Sequence, residues 1–138
     1  MIFDTDVLIW VQKGSSEAAS LIDRTLKRHI SVQTYMELLQ CAQNKRQQKY
    51  IRDFLSDFSF ITLPLTQRIG QFAAKYVEQY SLSSSLRAGD AIIAATAVES
   101  QMPLCTANEK HFKVIKELNL SVFKPVPLPK HPNDQRNN

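Results

Sequence analysis

Short apolar segments that alternate with stretches of helical periodicity constrain this chain more than any other feature of its sequence. Ile2-Phe3, Ile30-Ser31-Val32, Phe60-Ile61-Thr62-Leu63 and Pro103-Leu104-Cys105-Thr106 read as buried strands, and Val122-Phe123 as an edge strand. Helical patterns fill the intervals. Residues 17–27 carry Ala18, Leu21, Ile22 and Leu26 at helical spacing; a second helix opens at Thr34, runs through Leu38, Leu39 and Ala42, and stops at Asn44 or Lys45. Residues 45–58 are amphipathic, and Thr66 caps a long helix whose Ile69, Phe72, Ala73, Tyr76 and Val77 line one face. The stretch from Asp90 to Val98 is small and apolar almost all round, which predicts a helix buried on more than one side. Strands and helices in alternation predict an α/β fold, with a short, mainly parallel sheet covered by helices on both faces.

At 138 residues the chain suits one domain, and a hydrophobic share of 43% against 22% charged excludes a disordered chain. No apolar run approaches the roughly 20 residues of a membrane span. The start also lacks a charged region ahead of a cleavable apolar stretch, so the expectation is a cytoplasmic protein with no membrane partner. Cys41 and Cys105 are too few and too far apart for a disulfide framework or a zinc knuckle, and both read as small core residues. The net charge of +4 favours attraction to a polyanion without identifying one. Four of the six prolines fall in residues 125–138, which predicts an extended or disordered tail behind a domain at 1–124.

The carboxylates fall where such a sheet would collect them. Apolar residues flank Asp4 on both sides, and a charge so placed needs a partner or a cation unless Asp4 or Asp6 simply caps the next helix. Glu37 lies one helical turn beyond the second strand, where Thr34 completes a capping-box pattern that asks for no chemistry. Asp90, at the entrance of the apolar helix, is equally a cap favoured by the helix dipole. Asn108, Glu109 and His111 follow the strand at Leu104 and either reach a ligand or cap a short helix around Phe112. Convergence raises the set above separate caps. A parallel sheet would gather Asp4, Glu37, Asp90 and Asn108 or Glu109 at one edge, where open α/β folds bind ligands. Hard oxygen donors there suit Mg²⁺ or Mn²⁺ rather than zinc.

Asp4-Thr5-Asp6-Val7-Leu8, Glu37 after a short strand, Asp90-Ala91-Ile92-Ile93-Ala94-Ala95, and Thr106-Ala107-Asn108 before Phe112 together resemble a PIN-domain protein of the VapC toxin type, in order and spacing, over residues 1–123. The resemblance implies a three-layer α/β/α sandwich and a metal-dependent endoribonuclease of a type II toxin–antitoxin pair. It also implies a homodimer neutralised by a small VapB-type antitoxin, and an RNA substrate such as tRNA or another structured RNA. Carried over by position, Asp4, Glu37 and Asp90 take the three acidic places that hold the metal, Mg²⁺ or Mn²⁺, for hydrolysis by an activated water. Asn108 stands where many members have a fourth Asp, so it enters as a neutral candidate ligand, with Glu109 beside it as a substitute acid. Asp6 and Thr106 support the site. Lys45, Arg46, Lys49, Arg87 and Lys110 are candidate RNA phosphate contacts, against the plainer reading of charges on solvated helix faces.

Two other readings stay open. A non-catalytic PIN-like module that holds RNA or an antitoxin is favoured by Asn108. A haloacid-dehalogenase-like phosphatase is suggested by Asp4-Thr5-Asp6, but Leu8 replaces the Thr or Val that such an opening wants, and no pair of late acids follows Gly89-Asp90.

Overall fold

In the computed structural model, which describes residues 1–128, the chain opens with β1 (Ile2–Phe3), two residues long and wholly buried. Asp4 caps α1 (Thr5–Gln12), Ser15 caps α2 (Ser16–Arg24), and β2 (His29–Ser31) then lies parallel to β1. Next come α3 (Val32–Cys41), α4 (Lys45–Asp57) and β3 (Ile61–Leu63), followed by α5 (Gln67–Tyr80), α6 (Ala88–Ser100) and β4 (Leu104–Thr106). A single turn, α7 (Glu109–Phe112), precedes β5 (Leu120–Val122). The expected Pro-rich tail falls outside the described residues from residue 129 onward.

The five strands lie in the order β3-β2-β1-β4-β5, and every neighbouring pair is parallel. From β1 the chain moves outward through β2 to β3, then returns to build β4 and β5 on the other side. The junction of β1 and β4 is therefore the point where the strand order reverses, and there the carboxyl ends of the strands leave a crevice. Alternate side chains of a strand enter opposite layers. Ile2 and Leu104 pack with Ile69, Tyr76 and Ile93 from α5 and α6, whereas Phe3, Ile30 and Cys105 pack with Val7, Ile22, Leu38 and Ile51 from α1 to α4. Two cores on either side of one sheet make the α/β/α sandwich. Ala91, Ala94, Ala95 and Ala97 are fully buried, as the small apolar stretch predicts, and the apolar face of α5 is core.

Several local expectations change. Helix α2 stops before Leu26 because the Arg28 guanidinium donates to the carbonyls of Ile22 and Phe58, both at 2.7 Å, and of Asp23 at 3.0 Å. Leu26 is left 98% exposed. Ser31, not Thr34, caps α3, accepting the Thr34 N–H at 3.0 Å, so the Thr34–Glu37 capping box does not form. Asn44 begins α4 instead of ending α3. Strand β3 is an edge strand with Ile61 51% exposed, and Cys41 is exposed, leaving Cys105 as the core thiol. Among the described residues no helix is long and apolar enough to cross a membrane.

Candidate active site

Asp4 leaves β1 at the β1/β4 junction. Its N–H donates to the Cys105 carbonyl at 2.8 Å, its Oδ1 accepts the Thr5 N–H at 2.7 Å, and its Oδ2 accepts the Thr106 hydroxyl at 2.8 Å. Two residues further, Asp6 turns to the same place. Its Oδ2 accepts the Ala107 N–H at 3.1 Å and lies 3.5 Å from Thr106 Oγ1. The Thr106 hydroxyl has a single proton, committed to Asp4, and its oxygen accepts the Asn108 N–H at 2.9 Å. The loop after β4 is thus folded around two acids from the far end of the sequence.

Those acids are poorly solvated. Asp4 is only 6% exposed. Burial, and after it the Asp6 charge, holds the Asp4 carboxyl well above the ordinary range, and burial raises Asp6 as well. Asp6 Oδ1 is buried with no partner. An unpaired buried acceptor costs roughly 1–3 kcal/mol, and more when charged. Among the described residues no cationic side chain pairs with either acid. A hard divalent cation would answer both deficits, so the donor set fits one. Burial, then the nearby Asp6 and Asp4 charges, push the Cys105 thiol up to about 12, which leaves it an inert core group.

The other two predicted acids are held differently. Asp90, in the first turn of α6, accepts the Arg87 N–H at 3.1 Å and lies 3.4 Å from His111 Nδ1. Glu37 Oε1 accepts from Gln33 Nε2 at 2.9 Å. Gly89 lets these helices approach, since a Cβ there would lie 3.1 Å from both Glu37 Oε1 and Gln33 Nε2. Hydroxyls tie the starts of α1 and α3 together, with Thr5 Oγ1 donating to Thr34 Oγ1 at 3.1 Å and Ser31 Oγ 3.3 Å from that atom. The topology brings all four acids toward the carboxyl edge. Among the described residues, however, no three Asp, Glu, His or Cys side chains are drawn close enough together to hold an ion. Asn108 is exposed, and its side chain caps nothing.

The PIN domain family matches residues 1–118. The chain belongs to the PIN domain family. A solved toxin–antitoxin complex from Klebsiella pneumoniae contains a chain 30% identical to this PIN domain, with a TM-score of 0.72 over 85% of this chain and 93% of that one. VapBC-1 from nontypeable Haemophilus influenzae matches at 23% identity and a TM-score of 0.73, over 88% and 98% of the two chains. DNA-bound VapBC from Salmonella typhimurium matches at 17% and 0.75, over 88% and 96%. The last two likenesses carry the fold alone. No curated protein matches the chain.

Within this PIN domain the candidate phosphate contacts are scattered. Lys45, Arg46 and Lys49 stand exposed on α4, with Lys49 paired to Asp53 at 2.7 Å, whereas Arg87 precedes Asp90 by one helical turn and Lys110 follows Asn108 by two residues. Three features escaped sequence reasoning. They are the Gln33–Glu37 bond, the Thr5–Thr34–Ser31 hydroxyls and the pairing of His111 with Asp90. Only the first had a local signal, a Gln four residues before a Glu on one helix face.

Proposed function

We propose that this PIN domain is the toxin of a toxin–antitoxin pair and acts as a metal-dependent endoribonuclease on tRNA or another structured RNA. The observation that carries the reading is the buried Asp4 with Asp6 beside it at the β1/β4 junction, where the buried Asp6 Oδ1 is left unpartnered. Asp4, Asp90 and Glu37 would hold Mg²⁺ or Mn²⁺, with Asn108 offering a neutral amide at the same edge. Such an ion, when bound, neutralises phosphodiester charge and lowers the pKa of an attacking water.

The chain's own residues prepare the site. Thr106 orients Asp4, the Ala107 N–H anchors Asp6, and the Arg87 N–H fixes Asp90. Gln33 sets the Glu37 carboxylate, which would position water at the edge of the site. Arg87 and Lys110, and further out Lys45, Arg46 and Lys49, would contact RNA phosphates.

The solved relatives that include an antitoxin support a VapB-type partner. A groove of about 390 Å³ lined by Val11, Ile22, Phe54 and Phe58 offers an apolar segment a seat between α1, α2 and α4. A homodimer, a cytoplasmic location and a domain limit near residue 124 complete the reading.

The test is incubation of total cellular RNA with the purified protein in Mg²⁺, Mn²⁺ or EDTA, alongside Asp4→Ala and Asp90→Ala. Discrete products that need metal and vanish in both variants are expected. Equal inertness of folded wild type and variants would return the acids to helix caps and favour a module that binds RNA or antitoxin without cutting.

A further inference from the structure

Beside the acids, the carboxyl ends of β4 and β5 enclose a second feature. The Phe123 N–H donates to the Thr106 carbonyl at 2.8 Å, so the two chains leave the sheet side by side. A groove of about 400 Å³ opens between the loop after β4 and the segment after β5. Ala107 and Asn108 form its near wall, the exposed Val122 and half-buried Pro125 give it an apolar side over the buried Phe123, and Lys110 and Lys124 stand on its rim. Ala107 joins it directly to the acids, because its N–H is the one bound to Asp6.

The lining has the chemistry of a nucleotide. Both lysines are exposed, and neither makes an ion pair among the described residues. Glu109 shares the rim, leaving two cations to one anion. The Asn108 backbone is pinned to Thr106, which places the exposed Asn108 at the mouth. Single-stranded RNA is held by cations on its phosphates, apolar surface under its bases, and amides on its base edges.

We infer that this groove is an RNA subsite for the nucleotide adjoining the phosphodiester at the acids, with Lys110 and Lys124 on its phosphates and Asn108 at its base. The inference rests on RNA being the substrate, and it names the path by which the strand leaves the site, across the end of β5 and away from α6.

The probe is a short fluorescent single-stranded oligoribonucleotide of mixed sequence, with binding followed by anisotropy in EDTA at several salt concentrations. The double variant Lys110→Gln/Lys124→Gln is expected to bind more weakly, with a slope of log affinity on log salt shallower by about 1.4, from about 0.7 per single-strand phosphate contact. Glu109→Gln is expected to bind several-fold more tightly. Lys27→Gln/Lys75→Gln, equal in charge but placed before β2 and on α5, is expected to leave the slope unchanged. Equal weakening by both double variants, or by neither, would overturn the subsite. Cleavage is read separately with Mg²⁺ and Mn²⁺. Groove-dependent binding without cleavage would remove the nuclease reading and keep the subsite, whereas cleavage without groove dependence would do the reverse.

Discussion

Asp4 is buried with a half-buried Asp6 beside it and no ion pair to either among the described residues, whereas Glu37 and Asp90 stand on helix turns that supply each with a neighbour. In the first pair burial raises both carboxyls and one oxygen has no partner. In the second, Gln33, the Arg87 N–H and His111 supply neighbours. The difference assigns roles. An acid with no buried oxygen left unpartnered asks for nothing more, while a pair that holds one such oxygen, with no cation beside it, invites an ion that fits. In this account Asp4 creates the demand for an ion, and Glu37 and Asp90 supply further oxygens once it arrives.

Asp4→Asn should break the comparison most severely, since it removes the charge that creates the demand. RNA cleavage should fall by about 10³-fold, the upper range for losing one electrostatic group in a reaction site, with the fold intact by circular dichroism.

The pH dependence of the metal-free protein should follow next in size. Asp4 titrates higher in the folded chain than the ordinary value of about 3.9 in an unfolded one. Its contribution to stability is therefore fully present below that ordinary value and is lost as pH rises through the raised folded one. Thermal melts in EDTA should show stability falling across that window, Asp4→Asn should flatten the fall, and saturating Mn²⁺ should offset it.

Thr106→Val tests the support of the first pair. It deletes the hydroxyl that donates to Asp4 and accepts from Asn108, so denaturant unfolding should show a loss of about 1–3 kcal/mol. His111→Gln touches only the second pair. Because the contact is 3.4 Å long, His111 is a third exposed, and the Arg87 N–H remains, the stability change should stay below about 1 kcal/mol. A larger effect from His111→Gln than from Thr106→Val would reverse the ranking of the two pairs.

Much of this was legible in the sequence because it depends on local pattern. The alternation of apolar triplets with helical periods carried the α/β sandwich, and the placement of Asp4, Glu37 and Asp90 just after strands or at helix starts carried those three acids toward one edge of the sheet. What stayed hidden depends on tertiary position. The Phe60 to Leu63 run looks buried in sequence, but an edge strand uses the same residues, and only the sheet order exposes Ile61. Leu26 keeps helical spacing, yet Arg28 takes the helix carbonyls first. Ser31 and Thr34 both carry a capping hydroxyl, and the choice between them is set by where β2 ends. The burial of Asp6 Oδ1 has no sequence signature, and the Ala107 N–H that holds the other oxygen of that carboxylate comes from a hundred residues further along the chain.

The most direct test of the central claim is calorimetric titration of Mn²⁺ into the wild type and into Asp4→Asn, without RNA. The wild type should show a saturable binding event that is lost in the folded variant. Equal Mn²⁺ binding by both proteins, or none by a wild type that still cleaves RNA, would contradict it.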